Sequence, residues 1–270
     1  MRPLSTDEAK KVELEILKDF AHFCDENNLT YFLAYGTLIG AIRHKGFIPW
    51  DDDIDLWMPR SDYNRVVEIF KDRYEGTNLV IIEPHTKIAR HSFIKVVDKR
   101  TVKIEQGIDY RNGTLGVVVD IFPLDGMPQD ETEFKVWFNK LQNYYVTFAL
   151  NVGRAKTLKG IAKSIIYRAL FGSNKRVLKK ADKLHSLYPY EQSAFVGAVE
   201  SAYNSINNRY DKMWYASSVE VEFENHMFKA PIGYDQILTK MYGDYMQLPP
   251  KDKQITHHTN KTYWKEEEQK

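Results

Sequence analysis

The segment Pro49-Trp50-Asp51-Asp52-Asp53-Ile54-Asp55-Leu56-Trp57 restricts this chain more than any other. Four carboxylates fall within five residues, and apolar residues alternate with the last of them. Side chains on a strand point to opposite faces with period two. Asp53 and Asp55 therefore share one face, while Ile54 and Leu56 turn to a core. A fold built on this run must hold two like charges side by side on a rigid element. Such a pair repels itself unless a cation offsets it. Hard carboxylate oxygens suit Mg2+ or Mn2+, ions that retain water and meet substrate phosphates.

Three readings of the cluster compete. It is a solvated acidic turn, a calcium loop, or the metal site of a phosphoryl-transfer enzyme. In the calcium reading Asp51, Asp53, Asp55 and Asp62 take positions one, three, five and twelve. Leu56 then stands where that loop needs glycine, and Pro59 interrupts it. Two other segments favour phosphoryl transfer. Upstream, the β-rich run Thr30–Tyr35 leads into Gly36 and the hydroxyl residue Thr37 of Tyr35-Gly36-Thr37-Leu38-Ile39-Gly40. A glycine there lets a phosphate approach the backbone. Asp53 follows Thr37 by sixteen positions. Downstream, Val117-Val118-Val119-Asp120-Ile121-Phe122 is an apolar strand with one acid in it. A lone carboxylate in such a strand needs a partner, either a basic side chain or a metal.

The rest of the chain alternates helices and strands and then turns helical. Val12, Ile16, Phe20 and Cys24, widened by Leu17 and Phe23, predict an amphipathic helix over 7–27. Ser5 and Glu8 form its capping box. Strands are expected at 30–35, 54–58, 79–82, 93–97, 102–105 and 115–122. A helix capped by Ser61 is expected to run to about Tyr74. Beyond Pro128, helices are predicted over 130–150, 159–171, 175–187 and 190–206, with a short one near 234–242. Pro128 is the internal boundary.

The 270 residues carry 38 basic and 37 acidic side chains, so net charge gives no bias toward nucleic acid. One cysteine excludes an internal disulfide and a Cys-rich zinc site. No apolar leader is visible at the N-terminus, so the expected place is the cytoplasm. Charge is uneven, however. Residues 151–185 hold ten Lys or Arg against the single acid Asp182, interleaved with Leu158, Ile161, Ile165, Ile166, Leu170 and Phe171. This reads either as a basic amphipathic helix pair resting on an anionic membrane surface or as a soluble subdomain with a charged outer face.

The run AYGTLIGAIRHKGFIPWDDDIDLWM (Ala34–Met58) resembles the signature of the LicD family, phosphocholine and polyol-phosphate transferases related to the fukutin-related proteins. VVVDIFPLDGMP (Val117–Pro128) and FENHMFKAPIGYDQILTKMYGDYMQLPP (Phe223–Pro250), followed by His257 and His258, match it in order. The resemblance implies an α+β fold with a nucleotidyltransferase-like mixed sheet, flanking helices and a helical C-terminal half. Residues 1–128 would form the catalytic core, and 129–270 a helical subdomain completing the site. It implies CDP-choline or a related CDP-alcohol as donor, a glycan hydroxyl, often lipid-linked, as acceptor, and CMP as product.

In that reading Asp53, Asp55 and Asp120 hold one or two Mg2+ ions, and Asp120 is the general base. Gly36, Thr37, Arg43 and Lys95 meet the donor phosphates. Trp50, Trp57 and Tyr35 are candidates for a choline head. Glu224 follows from the family pattern, and His257 is a candidate phosphate contact. The alternatives are transfer of glycerol phosphate, ribitol phosphate or a nucleotide, a glycan-binding pseudoenzyme, and a glycosyltransferase that uses Asp-x-Asp.

Overall fold

Ser5 caps the first long helix as expected: its hydroxyl accepts from the Glu8 N–H, and the Glu8 carboxylate accepts from Ser5 N. The computed structural model describes residues 1–86, 91–104, 116–154, 158–201, 205–255 and 261–265. In chain order the first half comprises β1 (Arg2–Pro3), α1 (Thr6–Glu26), β2 (Phe32–Leu33), α2 (Tyr35–Ile39), β3 (Ile54–Pro59), α3 (Arg60–Tyr74), β4 (Leu79–Ile82), β5 (Ile94–Asp98), β6 (Thr101–Ile104) and β7 (Val118–Met127). The second half begins with α4 (Glu131–Ala149), α5 (Leu158–Phe171) and α6 (Asn174–His185). It continues through β8 (Phe195–Gly197), β9 (Tyr210–Asp211), β10 (Ser218–Phe223), β11 (His226–Pro231), α7 (Tyr234–Tyr242) and β12 (Lys261–Trp264).

The fold is α+β. Among the described residues seven strands form the main sheet, ordered β2-β3-β7-β5-β4, with β8 joined to the end of β7 and β9 to β8. β3 and β7 run parallel, and the other pairs are antiparallel. Ile54, Leu56, Val119, Ile121, Ile94 and Val96 are all buried with α1 and α3 residues such as Leu17, Phe20, Val66 and Phe70. Burying a side chain of this size contributes ~1.5–3 kcal/mol. That alternation fixes the register and leaves the opposite face of β3, β7 and β5 for polar chemistry.

A second core joins α4 to α6 through Trp137, Leu141, Leu178 and Ala181. Its polar counterpart is a buried network. Arg60 forks onto Asp125 with two bonds of 2.7 Å. His185 Nδ1 stands 3.0 Å from Asp125 Oδ2, and its Nε2 lies 2.9 Å from the Tyr145 hydroxyl.

Two local expectations are corrected. α3 starts at Arg60, with Pro59 at the cap position and no side-chain cap, so Ser61 lies within the helix. Pro59 presets the turn by its fixed φ. The helix expected over 190–206 does not form. A 3-10 turn at Tyr190–Gln192 is followed by β8, whose apolar residues extend the main sheet by pairing with Asp125–Met127. Further on, β10 and β11 form a hairpin, so strands accompany the helices of the second half. The first predicted strand is only two residues long, because Tyr35 already opens α2 with φ +43°.

Candidate active site

The register of the central strands assembles the site. Asp55 on β3 lies directly beside Asp120 on β7, and Lys95 on β5 lies on the far side of Asp120. Lys95 Nζ donates to both Asp120 oxygens, at 2.5 and 2.6 Å. Asp53 precedes β3 by one residue and is half-buried. Burial pushes Asp55 well above the usual carboxylate range. Asp53 and Asp120 add to this, Lys95 opposes it, and Asp51 adds again. The site thus holds more negative charge than its own basic groups offset.

The glycine turn is built around the same acids. The Asp55 N–H donates to the buried Thr37 hydroxyl at 2.9 Å, which ties the turn to the strand. A Cβ on Gly36 would collide with the Asp51 carboxylate, so only glycine admits that approach. After α2 the chain widens into a π turn over Gly40–His44, closed by Lys45 at φ +60°.

The hairpin clamps the loop leading to the acids. Glu224 and Asn225, at φ +52° and +62°, are the central residues of the tight turn between Phe223 and His226. Glu224 N donates to Lys45 O at 2.8 Å, and Glu224 Oε1 accepts from Phe47 N at 3.1 Å. Arg43 acts as a second strut. Its Nη1 donates to the carbonyls of Tyr245 at 2.6 Å and Gln247 at 3.4 Å. Trp50 is half-buried with its ring edge-on to His44, centroids 6.2 Å apart.

Trp57 is corrected from ligand contact to core. It is 1% exposed, edge-on to Tyr35 at 4.9 Å and to Tyr215 at 6.0 Å, so its ring packs among other rings of the core. His257 and His258 lie outside the described residues.

Two groups facing the cluster escaped sequence reasoning. Glu13 of α1 is buried, and burial pushes its carboxyl well above the ordinary value. Lys103 pulls it back, and Asp53, Asp52 and Asp120 push it further. Its signal was a charged residue on the apolar stripe, three positions before Ile16. Tyr242 of α7 is 45% exposed, and its phenol is pushed up by partial burial and then by Asp55, Tyr210, Asp51 and Asp53. It carries no local signal.

The donors suit a hard divalent ion in kind, because all are carboxylates and their mutual repulsion asks for a cation. As arranged, no three His, Cys, Asp or Glu side chains among the described residues are gathered tightly enough to hold one. Lys95 takes the place of that charge on Asp120.

Comparison with known proteins agrees with this construction. Residues 28–152, which contain the turn and Asp53, Asp55 and Asp120, match the family description "LicD/FKTN/FKRP, nucleotidyltransferase domain". Over 267 residues, 97% of this chain and 99% of the relative, the sequence is 33% identical to the lipopolysaccharide cholinephosphotransferase LicD of Haemophilus influenzae. The chain belongs to the LicD family. This LicD-family chain is also 35% identical over 68 residues, 22% of its length and 26% of the relative, to an uncharacterised protein of Rickettsia prowazekii. A 112-residue stretch, 39% of the chain and 9% of the relative, is 29% identical to the mannosyltransferase regulator 4 of Saccharomyces cerevisiae.

Proposed function

We propose that this LicD-family protein transfers phosphocholine from CDP-choline to a hydroxyl of a lipid-linked cell-surface glycan, of lipopolysaccharide or teichoic-acid type, and releases CMP. The observation that carries the proposal is the placing of Asp55 abreast of Asp120, in a chain similar from end to end to a cholinephosphotransferase. Asp53, Asp55 and Asp120 are the carboxylates that would hold Mg2+ or Mn2+. When bound, such an ion offsets charge on the donor diphosphate.

The chain supplies the rest. Thr37 fixes the backbone of Asp55, and Gly36 keeps the turn open beside Asp51. The Glu224 and Arg43 struts hold the loop that delivers the acids. The acceptor oxygen forms its bond to the choline phosphate phosphorus, the bond from that phosphorus to the CMP oxygen breaks, and Asp120 accepts the hydroxyl proton. Lys95, adjacent to Asp120, complements phosphate charge.

The acceptor's lipid anchor gives α5 a role. Ile161, Ile165, Ile166 and Leu170 are exposed at 48%, 65%, 56% and 68%, and Lys163 and Arg168 share the helix. On α6, Lys175, Arg176, Lys179, Lys180 and Lys183 line a basic surface groove. No helix among the described residues is long and apolar enough to cross a membrane. An apolar face with basic flanks suits peripheral contact with the anionic inner leaflet.

A thermal-shift panel tests the donor. CDP-choline, CDP-glycerol, CDP-ribitol, CTP and UDP-glucose are compared with and without Mg2+. Ligand at a hundred times Kd stabilises by ~2.7 kcal/mol. A metal-dependent shift greatest with CDP-choline supports the proposal. A shift confined to another nucleotide replaces the donor, and no shift with any of them removes the reading.

A further inference from the structure

Next to the row of charged side chains lies a row of aromatic ones. Residues two apart on a strand share a face. Asp55 is therefore followed by Trp57 and Asp120 by Phe122, while Phe93 precedes Lys95. The Phe93 and Phe122 ring centroids lie 4.3 Å apart, and Tyr35 stands edge-on to Phe122 at 5.4 Å. Trp57 is buried behind Tyr35, but Tyr35, Phe93 and Phe122 all keep part of their surface open. Tyr35 holds its ring there from a left-handed backbone, φ +43°, an unusual conformation for a bulky side chain. The Lys95 ammonium already sits 5.0 Å over the Phe93 ring, so these rings accommodate a cation.

A buried carboxylate stands near this row. β8 ends at Gly197, paired with Asp125, and the chain runs on to Glu200. The Ser92 hydroxyl donates to the Glu200 carbonyl, which fixes this segment beside Phe93. Glu200 is 1% exposed, and among the described residues no side chain bonds its carboxylate oxygens; only the Glu200 and Val199 N–H groups approach them. Burial pushes its carboxyl up to about 8, with the Glu200 N–H opposing, Asp125 adding and Arg60 opposing, and a cation beside it would draw it back to the charged form. The Glu200 charge in turn raises the Tyr35 phenol, after burial itself.

A buried carboxylate that no side chain bonds, beside partly open aromatic faces, matches a cation that has no N–H to donate. We propose that Tyr35, Phe93, Phe122 and Glu200 form the seat of the trimethylammonium head of the transferred group, and that this seat distinguishes choline from neutral polyol phosphates. This rests on the phosphocholine reading above. One strand step of two residues, ~7 Å, separates the seat from Asp55 and Asp120, and the two-carbon linker of phosphocholine spans such a step. The sequence suggests Trp50, Trp57 and Tyr35 for the choline. Tyr35 stays in the proposed seat, and Phe93, Phe122 and Glu200, which lie far from it in the chain, join it.

Calorimetric Kd values for CDP-choline, CDP-glycerol and CDP, all in Mg2+, test the seat. The wild type should bind CDP-choline ~10-fold more tightly than CDP-glycerol, a preference of ~1.4 kcal/mol. Phe122→Leu and Glu200→Gln should each remove that preference and leave the Kd for CDP within about twofold. Unchanged CDP affinity shows that the variant is folded. If Phe122→Leu loses CDP as well, the near-isosteric Glu200→Gln decides. Equal wild-type affinity for CDP-choline and CDP-glycerol, or a preference surviving in Glu200→Gln, overturns the seat while the donor reading stands. No binding of any cytidine nucleotide overturns both.

Discussion

Replacing Asp55 by Asn should make the metal-free protein more stable and catalytically dead. Asp55 and Asp120 lie abreast on hydrogen-bonded parallel strands, which are spaced ~4.8 Å apart. Two unit charges at ~5 Å repel by ~3 kcal/mol at an effective dielectric constant near 20. Lys95 offsets part of this through Asp120, and burial, Asp53 and Asp120 already disfavour the charged form of Asp55. The net gain from Asn is therefore ~1–3 kcal/mol. For a chain of this size, 1 kcal/mol moves the melting temperature by ~2–4 °C. Unfolding in chelator should show Tm raised by several degrees. Mg2+ should then stabilise the wild type and not the variant. Transfer should fall by ~100-fold or more, as for removal of a group that stabilises transition-state charge. A variant less stable than wild type in chelator, or one with near-normal turnover, refutes the argument.

Three further outcomes are expected. Asp125→Asn should cost ~3–5 kcal/mol in urea unfolding. Burial alone would raise Asp125, but Arg60 and His185 hold it far below the usual range, and Asn leaves the Arg60 guanidinium uncompensated. Glu200 has its folded value raised from 4.5 to about 8, so its contribution to stability is fully present below 4.5 and is lost as pH rises toward 8. Stability in chelator should fall across that window by up to ~1.4 kcal/mol per pH unit more in the wild type than in Glu200→Gln. A double substitution Ile165→Ser and Ile166→Ser on α5 should abolish sedimentation with vesicles of anionic phospholipid and leave the melting temperature within a degree, because both side chains already face solvent. Unchanged sedimentation rejects the membrane face.

The acid row was legible because it depends on local periodicity. Alternation alone put Ile54 and Leu56 inside and Asp55 outside, and one acid in an apolar run marked Asp120. The short range of these signals also explains the failures. Arg43 meets Tyr245 across 202 residues, and Glu224 meets Phe47 across 177, so neither strut shows in a window of sequence. Trp57 sits on the acid-bearing face by alternation, but Tyr35 and the remote Tyr215 bury it. Residues 195–200 suit a helix as well as a strand, and pairing of 195–197 with the end of β7 decides between them. Glu13 could have been found, since a carboxylate inside the α1 stripe needs a reason to be buried.

The central claim is tested most directly by following the choline itself. The protein is incubated with Mg2+, CDP-choline labelled in its methyl groups, and a lipid-linked glycan extract. The account predicts label on the glycan with one CMP released per choline transferred, and loss of both products in chelator and in Asp55→Asn. A cytidylyl group on the glycan, or undiminished transfer by Asp55→Asn, would contradict it.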